Sequence, residues 1–189
     1  TSLIDAQESI YGSLFSLFSE CRELLRSIQV DAESGRLATP YCLLIRDDRG
    51  TQGERISEIV RDDYQLHLAA PFEGVGSISG GCWRAVDCGL AGNDAILKLR
   101  FAPKTVDLPI HMHAYSDRVI HVVGGSGTFR VWNGGETSSH SVSSGCSLVF
   151  SRGLAHTFRT DSEELLLLSY HSPFIDIQDP RQFEVCQVH

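Results

Sequence analysis

No two cysteines in this 189-residue chain form a CxxC pair. The six stand at Cys21, Cys42, Cys82, Cys88, Cys146 and Cys186. That spacing matches neither a zinc knuckle nor a dense disulfide framework, so they read as reduced, mostly buried thiols. Positive charge is also scarce: 16 basic residues face 24 acidic ones, for a net charge of -8. No basic face forms, which argues against nucleic acid as a partner; the acidic balance serves solubility. Apolar runs long enough for a bilayer, roughly 18–20 residues, are missing, so no membrane association is expected. The leucine run Leu165–Leu168 is bounded by Glu164 and Ser169. The N-terminus lacks a basic segment followed by an apolar one, so no signal peptide is expected and the location reads as cytoplasmic. Thr1 is not Met, which leaves upstream residues open. Internal repeats and low-complexity segments are absent as well. What is present, 42% hydrophobic residues, suffices for one core.

The chain changes period near residue 35. Leu3, Ile10, Leu14, Leu17, Cys21, Leu24 and Ile28 fall at helical steps. Ser2 can cap that helix with Asp5 completing a capping box. Tyr11, Phe15 and Phe18 widen its apolar stripe, which requires cover. A loop over Asp31–Pro40 follows, then short strands between turn residues. They are expected at Tyr41–Arg46, Tyr64–Leu68, Cys82–Cys88, Ala95–Phe101, Ile110–Ala114, Val119–Val123, Thr128–Trp132, His140–Val142, Ser147–Phe150, His156–Arg159 and Leu165–His171. Asp47–Gly50 reads as a turn, Arg55–Arg61 as a helical turn, and Gly124–Gly127 as a glycine-rich turn. The expectation is mainly β: a helical extension over 1–35 and a sandwich or barrel over 36–189.

Chemistry concentrates between Leu108 and Phe129. His111 and His113 are two apart in a strand, so both imidazoles share a face and can chelate one metal ion. His156 supplies a third candidate at the start of a later strand. Asp117 is a possible fourth ligand, but alternation puts it on the opposite face from Arg118 unless a bulge intervenes. Two ligand sets are therefore open: three histidines, or three histidines with Asp117. His121 falls on the face away from Arg118, and His171 ends the strand LLLLSY, where it can point into a barrel mouth. Tyr115 and Tyr170 are candidate pocket walls.

These residues resemble the cupin family. Its first motif runs His-x-His, a glutamate five residues on and a glycine seven beyond; His111, His113 and Gly125 match. Its second runs Gly, five residues, Pro-x-Gly, two residues, His; Gly145, Gly153 and His156 match. The likeness covers about 95 to 175. Three positions depart: Thr105 stands for the first motif's opening glycine, Ser151 for the proline, and Arg118 for the metal-binding glutamate. Arginine has no lone pair to offer a metal. The resemblance implies a jelly-roll β-barrel holding one divalent metal. Iron(II) is favoured, with zinc, manganese, nickel and copper also compatible with three imidazoles. It further implies a dioxygenase. The small anionic substrate is read from Arg118, whose guanidinium either enters the barrel, where a carboxylate can pair with it, or leaves through the mouth to solvent; Tyr115 and His171 are further candidates to handle the substrate. The alternatives are a non-redox isomerase, cyclase or lyase, and a ligand- or metal-sensing regulatory cupin. A homodimer is expected from the apolar helix stripe.

Overall fold

The computed structural model describes residues 3–46, 74–75, 83–106 and 108–187. The expected turn at Asp47–Gly50, the helical turn at Arg55–Arg61 and the strand at Tyr64–Leu68 lie outside them, as does Ser2.

Helix α1 spans Leu3–Glu33. It runs past Ile28 into the expected loop because nothing from Gln29 to Glu33 breaks a helix. Gly35 ends it, with a φ of 77° that lets the backbone turn where a side chain would be strained. Among the described residues eleven strands follow: β1 Cys42–Arg46, β2 Gly74–Val75, β3 Trp83–Ala91, β4 Asp94–Phe101, β5 His111–Met112, β6 Asp117–Asn133, β7 Glu136–Ser143, β8 Cys146–Phe150, β9 Ala155–Arg159, β10 Leu165–Ser172 and β11 Glu184–Val185. Every pairing among these strands is antiparallel, and the architecture is the expected jelly roll. One sheet runs β2-β3-β4-β10-β6-β8-β1; the other contains β7, β6, β9, β5 and β11. No described helix is long and apolar enough to cross a membrane.

Strand β6 belongs to both sheets, and this corrects the expectation of two strands joined by a turn at Gly124–Gly127. The pairing with β10 slips by one residue, from Leu167 opposite Val122 to Leu166 opposite Gly124. This bulge bends the strand from one sheet into the other. The glycines are needed for close approach: a Cβ on Gly125 would lie 1.6 Å from the Glu164 carbonyl oxygen, and Gly125 has a φ of 76°. Gly127 meets the Arg159 carbonyl in the same way, at 2.6 Å.

Alternation along β6 separates two apolar clusters. Ile120 and Val122 point inward with Phe129, Leu148, Phe150, Phe158, Leu165 and Leu167. Val119 points outward and packs with Val149, Leu168 and Tyr170 under Leu17, Phe18, Cys21, Leu25 and Ile28 of α1. The helix stripe from Leu17 to Ile28 is thus covered by the chain's own barrel. Burying such a surface stabilises by roughly 25 cal/mol per Å² of apolar area. The cover that suggested a second subunit is supplied within the chain over this stretch, while Phe15 is 73% exposed.

Candidate metal centre and anion site

His111 and His156 face each other across the β5–β9 pair. His113 lies just beyond the end of β5, where the chain turns at Ala114-Tyr115. Ring centroids are 4.5 Å apart for His111–His156 and 5.2 Å for both pairs involving His113. One ligand atom from each ring falls within 4.8 Å of the others. A common hydrogen-bond pattern decides which atom that is. Nδ1 of His111 donates to the Pro109 carbonyl at 2.9 Å, Nδ1 of His113 to the Gln182 carbonyl at 2.7 Å, and Nδ1 of His156 to the Leu154 carbonyl at 2.8 Å. A carbonyl only accepts, so each Nδ1 carries the proton and each Nε2 keeps its lone pair. Oriented imidazoles with converging Nε2 atoms are what a divalent metal requires, so the residues present fit one. Phe150 and Phe129 pack on the His156 ring at 4.7 and 5.4 Å and wall it from the core.

The electrostatics agree with that donor set. Burial pushes all three histidine pKa values down, and the Arg118 charge adds to the effect in each; His113 and His156 also feel neighbouring imidazoles. The rings are therefore neutral near pH 7. Because their folded pKa values lie below the ordinary 6.5, the unfolded chain binds more protons once pH falls below that value. Stability of the metal-free protein is full above about pH 6.5 and is lost as pH drops toward the folded values, by up to about 1.4 kcal/mol per histidine per pH unit. Denaturant unfolding should show a lower midpoint at pH 5.5 than at pH 8; equal midpoints would contradict neutral burial.

Arg118 is on the inward face, 2% exposed. Its Nη1 donates to Ser116 Oγ at 2.7 Å and its Nη2 to Gln182 Oε1 at 2.8 Å. Burial lowers its pKa to about 9, opposed by the charge of Asp117. Directly opposite on β10 lies His171, buried and inward. Its Nε2 meets Ser169 Oγ at 2.8 Å, its Nδ1 has no hydrogen-bond partner among the described residues, and its ring lies 6.0 Å from Phe174.

Three expectations are corrected. Asp117 is not a ligand: it faces outward under α1. One carboxylate oxygen accepts from the Arg152 backbone N–H at 2.8 Å, the other from Gln29 Nε2 at 2.8 Å, and the Arg152 guanidinium reaches both. The only bulge in the β6–β10 pairing lies farther along, so alternation holds at 117 and 118. Tyr115 is not buried beside the triad; it sits on the turn after His113 and is 53% exposed. Tyr170 points outward, edge-on to Phe18 at 5.9 Å, and its hydroxyl donates to Asp94. His121, as expected, turns away from the site, with Cys21 Sγ at 3.6 Å and Ser147 Oγ at 2.6 Å. Gln182 and Ser116 join the site without any signal in the sequence. Gln182 belongs to an irregular segment with no period or motif to mark it.

Residues 97–170 match the family model for the cupin domain. The barrel is a cupin domain. Solved structures with the same fold include the capsular polysaccharide assembling protein CapF from Staphylococcus aureus, with 13% identity over 63% of this chain and 35% of that one and a TM-score of 0.51. The chain is also similar to the Lactobacillus farciminis oxalate decarboxylase, with 13% identity over 61% of this chain and a TM-score of 0.49. A third similar structure is the polyketide cyclase RemF from Streptomyces resistomycificus, with 19% identity over 57% of this chain and 78% of that one and a TM-score of 0.45. The cupin chain spans only 33% of the oxalate decarboxylase. At 13% identity the likeness to CapF is one of fold alone. No curated protein matches the sequence.

Proposed function

We propose that this cupin is a metal-dependent enzyme acting on a small anionic substrate, and specifically an iron(II) dioxygenase. One observation carries the reading: three converging neutral imidazoles share the barrel with a buried guanidinium, at the position where the first cupin motif has a carboxylate ligand. His111, His113 and His156 would hold the metal, and iron there supplies redox chemistry with dioxygen. The chain's own residues do the rest. Arg118 binds and orients the anionic group through charge-assisted hydrogen bonds. Ser116 and Gln182 hold the guanidinium in place. Phe129 and Phe150 keep water from the inner side of His156. The carbonyls of Pro109, Leu154 and Gln182 keep the imidazoles in the tautomer that leaves Nε2 free.

The test is elemental analysis of protein purified without a metal-binding tag, followed by oxygen uptake with a panel of small carboxylic acids. About one iron per chain and carboxylate-dependent oxygen consumption support the reading. Zinc or manganese with no oxygen consumption would replace it with the non-redox alternative.

A further inference from the structure

The segment after β10 closes over the site. Ser116 Oγ donates to the Pro173 carbonyl at 2.6 Å, Cys186 N–H donates to the Ile110 carbonyl at 2.8 Å, and β11 pairs with His111 and Met112 of β5. Between Ser172 and Gln187 one residue is buried, and it is Gln182, at 6% exposure. A buried polar side chain in a strap whose other residues are half-buried or exposed requires a reason. Every polar group of Gln182 is engaged. Its N–H donates to the Asp179 carbonyl at 2.9 Å, and its own carbonyl accepts from His113 Nδ1. Its Nε2 donates to the Ile175 carbonyl at 2.6 Å, and its Oε1 accepts from Arg118 Nη2. The Ile175 carbonyl cannot donate, so the amide has a single orientation, with oxygen toward Arg118.

The charge balance follows. Among the described residues both side chains that hydrogen-bond to the Arg118 guanidinium, Ser116 and Gln182, are uncharged, and no carboxylate forms an ion pair with it. The nearest acid in sequence, Asp117, is on the other face of β6 and pairs with Arg152. In the strap, Asp179 pairs with Arg181 and Glu184 is exposed. A buried cation held only by neutral acceptors keeps its charge available to a ligand.

We propose that Gln182 is a specificity-determining residue: its uncharged amide fixes Arg118 while leaving the guanidinium charge for a carboxylate-bearing ligand bound beside the histidine triad. The proposal rests on the anion-binding reading of the site given above. A glutamate at 182 has the same shape but supplies an internal counter-ion, and closes the site to anions. The main-chain carbonyl that orients His113 is the same in either case.

Acetate and oxalate are titrated by calorimetry into native protein, Gln182→Glu and Gln182→Met, each metal-free and zinc-loaded, with acetamide as the uncharged control. Native protein should bind the carboxylates and not acetamide. Gln182→Glu should bind them at least about tenfold more weakly with zinc stoichiometry unchanged. Gln182→Met, which loses the hydrogen bond to Arg118 but adds no charge, should lose at least about threefold less carboxylate affinity than Gln182→Glu and should still reject acetamide. Equal losses in the two variants would make Gln182 merely structural and overturn the proposal. So would native affinity in Gln182→Glu, or no carboxylate binding by native protein. If Gln182→Glu does not fold, Gln182→Met decides through the acetate-over-acetamide preference: a preference kept without the amide supports a guanidinium charge left free for the ligand, and a preference lost overturns the proposal. Carboxylate binding without oxygen consumption would remove the dioxygenase reading and leave the role of Gln182 standing.

Discussion

His111→Ala combined with His113→Ala abolishes metal binding while the barrel stays folded. Two of three donor atoms are removed, and one imidazole cannot retain a divalent ion against solvent. Even loss of a hydrogen bond that merely orients a ligand costs roughly 10–100-fold in metal affinity, so removal of two ligands exceeds that by a wide margin. The structural cost is modest. Each substitution frees one backbone carbonyl, of Pro109 or Gln182, for a net loss of about 1 kcal/mol apiece. The apolar clusters either side of β6 do not include either residue. Elemental analysis should show loss of bound metal while circular dichroism keeps its strand signature. His121→Ala is the matched control: it lies on the outer face beneath Cys21 and should leave the stoichiometry untouched. Unchanged metal content in the double variant would remove the triad as the site.

Arg118→Glu should convert the centre to a four-ligand site, with opposite effects on the metal-free and metal-loaded protein. Without metal, the guanidinium's two hydrogen bonds are lost, and a carboxylate is placed next to Gln182 Oε1, an acceptor with nothing to donate. An uncompensated buried charge of this kind costs about 3–5 kcal/mol, or forces protonation instead. With metal present, the carboxylate adds a charged donor to three neutral ones, and affinity should rise by at least about tenfold, equivalent to about 1.4 kcal/mol. The gap in melting temperature between zinc-loaded and metal-free protein should widen relative to native. Carboxylate binding should be lost, and any oxygen consumption should fall as one open coordination position closes. Arg118→Lys separates the charge from the fork: metal content stays, and carboxylate affinity drops because an ammonium cannot make two parallel hydrogen bonds. A chelator competition showing native metal affinity in Arg118→Glu would mean that side chain 118 does not reach the metal.

The two faces of β6 are legible in the residue order itself because a strand has a period of two. That period puts Asp117 and His121 on the face opposite Arg118, and His111 with His113 on one face; that Arg118 is the one that turns inward is seen in its burial and its bonds to Ser116 and Gln182. The alternation holds unless a bulge intervenes, and sequence cannot tell where a bulge falls. The glycines at 125 and 127 report only that the backbone needs freedom there; whether the freedom serves a turn or a bend is decided by the Glu164 and Arg159 carbonyls pressed against them. Tyr115 and Tyr170 look alike as candidate walls, since an aromatic side chain does not announce whether it meets solvent, a helix or a cavity.

What the sequence by itself determined are the properties set by local period and spacing. These are the helix at the start, the β-rich remainder, the cupin motifs, the three histidines and the arginine in place of a carboxylate ligand. What only the tertiary structure decided are the properties set by contacts between residues far apart in the chain. Helix α1 covers its own barrel through Leu17, Phe18, Cys21, Leu25 and Ile28, where the apolar stripe alone could not say which surface would meet it. The tautomers of the triad depend on three carbonyls, one of them 69 residues from its histidine. Gln182 reaches Arg118 across 64 residues, from a segment with no repeating pattern. A side chain's partner across such a separation depends on the closure of the whole barrel, and no local pattern encodes that closure.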